Sequence, residues 1–106
     1  MPARTEAVGY WLVERAKGPS WDHSRGRREQ PGWDEHAAFM DALAEEGFVV
    51  LGGPIGDGDG DNVLLVVEAE GEAAIHARLA RDPWPGDVLF TQSIRPWSVL
   101  LRAPGH

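Results

Sequence analysis

The stretch Phe48–Val67, FVVLGGPIGDGDGDNVLLVV, decides how this chain folds. Two apolar runs rich in valine, FVVL at 48–51 and VLLVV at 63–67, read as β-strands. Gly52-Gly53-Pro54 ends the first run, and the DGDGD of residues 57–61 is a turn, so the two runs pair antiparallel. Asp57, Asp59, Asp61 and Glu68 also fall at positions one, three, five and twelve of a calcium-loop pattern. That pattern fails where Asn62 stands in place of its glycine, and a strand follows without flanking helices. An acidic hairpin turn is the better reading.

Working outward, each side of the hairpin carries a helical segment. From Trp33 to Gly47 the residues Trp33, Ala37, Met40, Leu43, Ala44 and Gly47 share one side, while Asp34, Asp41, Glu45 and Glu46 share the other. Asp34 and Glu35 suit the positive end of the helix dipole, and Gly47 is a fitting stop. Glu70 to Ala80 predicts a second helix with Ile75 and Leu79 inward. Outermost lie a first strand, Ala7 to Val13, and a last one, Val88 to Leu101, interrupted by Pro96. Proline cannot donate to a ladder, so this last strand belongs at an edge or carries a bulge. The order β-α-β-β-α-β predicts an α+β, ferredoxin-like domain spanning residues 1–106: an antiparallel four-stranded sheet with two helices on one face. The strands are nearly continuous apolar runs, which implies burial on both faces. A homodimer packed through the open sheet face is the economical answer.

Composition excludes several function classes. The net charge of −7 argues against a nucleic-acid partner, because phosphate binding needs a basic face. With no cysteine there is neither disulfide nor thiolate metal site, and a reducing cytoplasm is the expected compartment. The start MPARTEAVGYW has no long apolar run, so neither a signal peptide nor a membrane span is expected. No phosphate-cradling glycine loop, nucleophile elbow or histidine pair at metal spacing occurs, so no cofactor and no metal are expected. Residues 17–32, KGPSWDHSRGRREQPG, form a loop long for so small a domain.

The residues that could carry chemistry are few. His36 lies on the helical wheel among Trp33, Met40 and Leu43, inside the apolar stripe. Burial there requires a hydrogen-bond partner, which leaves two readings: a core histidine bonded to a backbone carbonyl, or a general acid/base at the rim of a pocket. Asp82, in the segment RDPWPGD of residues 81–87, is forced out of helical geometry by Pro83. It is either a turn aspartate bonding its own backbone or one wall of a site. Arg25, Arg27 and Arg28 concentrate positive charge in the long loop, where they either hold an anion or face solvent or a partner subunit. His23 and His76 look like surface or boundary residues, and His106 is terminal.

His36 and the following FMDALAEEGFVVLGGP, then DPW, then a strand ending IRPW, resemble the YCII-related family in order and spacing, from about Tyr10 to Leu101. The long loop with GPSW and REQPGW resembles the longer-loop branch of that family. The resemblance implies a dimeric α+β barrel, in which His36 and Asp82 share a pocket as a catalytic pair. Some relatives are linked to dechlorination or lactone chemistry, and no substrate carries over. Given that pairing, a carboxylate held against one imidazole nitrogen fixes the tautomer and leaves the other nitrogen for a substrate proton. Trp84, with Trp33 and Trp11, is then the expected apolar wall, Ser93 an additional hydrogen-bonder, and Arg25 and Arg28 candidate contacts to a small organic ligand, an anion among the options. The expected activity is metal-free proton transfer of an isomerase, lyase, lactone or dehalogenation type. The alternative is a non-catalytic ligand-binding or protein-interaction domain of the same fold.

Overall fold

The hairpin that organises the sequence also organises the computed structural model, which describes residues 9–56 and 62–105. Its strands are β2 (Val49–Pro54) and β3 (Asn62–Ala69), paired antiparallel with Val49 opposite Val67 and Pro54 opposite Val63. The turn residues 57–61, and with them the calcium-loop aspartates, lie outside the described residues. β1 (Gly9–Lys17) pairs antiparallel with β3 on one side and with β4 (Leu89–Trp97) on the other, giving the sheet order β2-β3-β1-β4. α1 (Trp33–Glu45) and α2 (Glu72–Leu79) complete the ferredoxin-like α+β arrangement.

One face of the sheet forms the main core. Val13 of β1, Leu65 and Val67 of β3 and Val49 of β2 pack with Leu43 of α1 and with Ile75 and Leu79 of α2. Strand alternation makes this face the one that receives Trp11, Val13 and Arg15 from β1. Among the described residues no helix lies over the opposite face. Leu51 is 68 % exposed there and Trp97 43 %, beside a groove lined by Tyr10, Val50, Val66 and Val99.

Several boundaries differ from the sequence reading, each for a packing reason. β1 does not end at Val13 but runs on through Glu14, Arg15 and Ala16 to Lys17. Its charged residues are accommodated because it is an inner strand: Asn62 Nδ2 donates to Glu14 Oε2 (2.7 Å), and Arg15 is buried on the helix side. β2 does not stop at Gly52 but continues through Gly53 and Pro54. A Cβ on Gly52 would stand 2.7 Å from Leu65 Cδ2, so the absent side chain lets the strand lie close over the core. Pro54 closes an edge strand, where a missing N–H is tolerated. α2 is shorter than the apolar pattern suggested, starting after the extended Gly71. β4 lies at the other edge, where Pro96 is tolerated, and carries a bulge where Glu14 pairs with Ser93 but Arg15 with Thr91. It ends at Trp97, and residues 98–101 are not strand.

The long loop is built, with one turn of 3-10 helix at Arg27–Glu29. The buried Gln30 is its peg: Nε2 donates to the carbonyls of Asp22 (2.7 Å) and Arg25 (3.1 Å), and Oε1 accepts from the Asp22 N–H (3.1 Å). The loop docks on residues 86–88, where Gly18 N donates to Val88 O (2.8 Å) and Ser20 N to Asp87 O (2.7 Å). Any side chain at Gly18 would collide with the Asp87 carbonyl, 2.3 Å from an added Cβ. A second small core results, in which Trp21 and Trp84 meet edge to face beside Leu89.

Candidate active site

Two turns deliver the central pair. Gly32, with φ of 81°, is the N-cap of α1 and starts the helix so that His36, in its first turns, faces the sheet. At the far end of α2, Asp82 N still donates to Leu79 O (3.1 Å), and Pro83 then prevents another helical turn. Asp82 Oδ1 accepts from the Trp84 backbone N–H (2.9 Å), the aspartate turn that Asp-Pro sequences favour. The same carboxylate also meets His36: Nδ1 lies 2.8 Å from Oδ1 and 3.0 Å from Oδ2. The turn bond and the contact to His36 coexist, because a carboxylate has acceptor capacity for both.

A third residue completes the cluster. Arg15 of β1 donates from Nη1 to Asp82 Oδ2 at 2.8 Å, with the two side chains 4 % and 1 % exposed. Burial alone would push the Asp82 carboxyl upward. The hydrogen bonds from His36, Arg15 and the Trp84 N–H outweigh it and hold the group below its ordinary 3.8. An ionised carboxylate only accepts, so the neutral His36 ring must carry its proton on Nδ1 and present an unprotonated Nε2. Among the described residues Nε2 has no hydrogen-bond partner, and His36 lines a cavity of about 290 Å³ between α1 and the sheet.

The imidazole is clamped from behind. Trp84 stacks on it with ring centroids 3.9 Å apart and 12° between planes. The indole is itself fixed, since Nε1 donates to Pro31 O (2.8 Å) and Trp33 and Trp21 flank it at 5.9 and 5.4 Å. The cavity wall is mostly apolar, with Trp33, Met40, Leu65 and Leu89, and two buried guanidinium groups, Arg15 and Arg27, also line it. Asp82 and Trp84 line a separate space of about 220 Å³, so the Arg15–Asp82 pair stands as a partition between the two.

The family model for the YCII-related domain matches residues 11–98. The chain belongs to the YCII-related family. No curated protein and no solved structure matches this YCII-related protein.

The expected site residues divide into two groups. His36, Asp82 and Trp84 come together, and Trp33 lies on the cavity wall. The other four lie elsewhere. Trp11 belongs to the main core, its Nε1 donating to Ala69 O (3.0 Å). Ser93 pairs with Glu14 and so faces the open side of the sheet, away from His36. Arg25 is exposed and paired with Asp22 (3.2 Å), and Arg28 is exposed with its guanidinium 6.0 Å from the Trp33 ring centre. The loop arginine that reaches the cavity is Arg27, which also sits 5.2 Å from the Trp21 ring centre. Arg15 escaped the sequence reading, although a signal existed: it shares strand parity with Trp11 and Val13, the inward residues of β1.

Proposed function

We propose that this YCII-related protein is an acid/base enzyme that moves a proton on a small organic molecule bound in the cavity beneath α1. The observation that carries the proposal is the 2.8 Å contact between His36 Nδ1 and an ionised Asp82, in a histidine that lines a mostly apolar cavity. In this reading Nε2 takes a proton from a C–H or O–H bond of the bound molecule. The resulting imidazolium keeps its Nδ1–H on Asp82, lies flat on the Trp84 indole face, and returns the proton at a neighbouring atom. Isomerisation, lyase and lactone-type reactions all fit such a transfer, and a dehalogenation fits where halide leaves after proton removal. The cavity volume lies near the lower end of the about 300–1,000 Å³ found for small-molecule sites.

A second reading has its own support. Asp82 ties β1, α1 and the turn after α2 to one another, so the cluster also suits a scaffold around a pocket that only binds. A thermal-shift screen of small organic acids and lactones, followed by turnover assays on the hits, separates the two. His36→Gln lowers turnover by about 10²–10⁴-fold while the variant stays folded if the proposal holds. Unchanged turnover in a folded His36→Gln protein refutes it. The reading extends to a homodimer through the uncovered sheet face, supported by the exposed Leu51 and Trp97 on it. A monomeric mass at micromolar concentration removes that extension.

A further inference from the structure

A small, mostly apolar cavity has two buried arginines in its wall. Arg15 is 3 % exposed and Arg27 8 %, and both line the cavity that holds His36. They arrive from unrelated parts of the chain, β1 and the loop turn pegged by Gln30. Arg15 is only partly satisfied. Its Nη1 is committed to Asp82, while Nη2 has a single contact to Leu89 O at 3.5 Å, and Nε is buried with no acceptor among the described residues. Nε and Nη2 form one edge of the guanidinium, and that edge is the one a carboxylate grips with both oxygens.

We infer that the cavity recognises a small carboxylic acid, its carboxylate held by Arg15 and Arg27 and its apolar remainder set against Trp33, Met40, Leu65 and Leu89. The inference rests on the acid/base reading of His36 and narrows it: the proton that Nε2 moves belongs to an atom close to that carboxylate. Such a ligand supplies Arg15 Nη2 with a stronger acceptor than the 3.5 Å contact to Leu89 O, and the mostly apolar wall strengthens the pairing by excluding water. Among the described residues Asp41, on the exposed side of α1, is the acidic one at the same cavity, and it disfavours dianions over monoanions.

The test compares acids with their uncharged isosteres. The wild-type protein is titrated with acetate, propionate and benzoate, and with acetamide, propionamide and benzamide, following tryptophan fluorescence and the arginine Nε–H resonances. At least one acid should bind about tenfold or more tightly than its amide and shift the Arg15 resonance, and Arg27→Gln should weaken it by a similar factor. Amides binding as well as acids, no acid binding at millimolar concentration, or full affinity in a folded Arg27→Gln variant each overturns the inference. Acid binding together with undiminished turnover in His36→Gln would leave the anion site standing and remove the acid/base reading. Amide-preferring binding with turnover that depends on His36 would do the reverse.

Discussion

Asp82→Asn removes one charge and one acceptor from the cluster while keeping its shape, which makes the cost calculable. The carboxylate accepts from the Arg15 guanidinium, the His36 ring and the Trp84 N–H. An asparagine offers one acceptor oxygen and turns an NH₂ group toward either Arg15 or His36. The Arg15 side chain is 4 % exposed, so its charge would stay buried without a counterion. Breaking a buried pair by removing one partner costs about 3–5 kcal/mol, and the amide oxygen keeps part of the bonding, so about 3 kcal/mol is expected. In a domain of this size that lowers Tm by more than about 10 °C. Arg15→Met leaves the carboxylate with His36 and the Trp84 N–H as its partners, and the double variant has no orphaned charge. Urea unfolding of all four proteins at one fixed concentration should therefore show the double variant less destabilised than the sum of the singles by about 1 kcal/mol or more. Additivity within about 0.5 kcal/mol would refute the claim that Arg15 and Asp82 act as a buried pair.

The pH dependence has a definite sign. The folded Asp82 pKa lies below its unfolded value of 3.8, so its stabilisation is complete above that value and is lost as pH falls through the folded pKa. The stability gap between wild type and Asp82→Asn should thus shrink as pH falls below about 4 in denaturant titrations; a gap that keeps widening below that pH contradicts it. Gly32 and Gly47 have nearly equal positive φ, 81° and 82°, but only Gly32 faces a neighbour, with Trp84 Nε1 3.3 Å from an added Cβ. Gly47→Ala should cost about 1–2 kcal/mol from backbone strain alone. Gly32→Ala should cost more and alter the Trp84 fluorescence, and equal costs would show that the indole is not packed against the helix start.

Much of the fold was legible because local signals agreed. The β2–β3 hairpin, the Gly47 helix stop and the edge position of the Pro96 strand follow from propensity, φ preference and a missing donor. Where the reading stopped short, tertiary packing had overridden local chemistry. Glu14, Arg15 and Lys17 look like the end of a strand, yet neighbours on both sides keep β1 paired through them. The site was half legible. His36 stood out because it interrupts an apolar stripe, and Asp82 because Pro83 fixes the chain around it. Which loop arginine turns inward was hidden, since it depends on the Gln30 hydrogen bonds and on the docking of Gly18 against Asp87. Ser93 was misplaced because the bulge opposite Glu14 and Arg15 sets which side of the sheet it faces, and no residue type announces that bulge.

The central claim is that Asp82 fixes the His36 proton on Nδ1 and leaves Nε2 bare toward the cavity. Nitrogen-15 NMR of ring-labelled histidine reads this directly, with His36 assigned among the four histidines by the His36→Gln spectrum. In the neutral ring Nδ1 should be protonated and Nε2 unprotonated, with that preference lost in Asp82→Asn. A neutral His36 carrying its proton on Nε2 in the wild-type protein would contradict it.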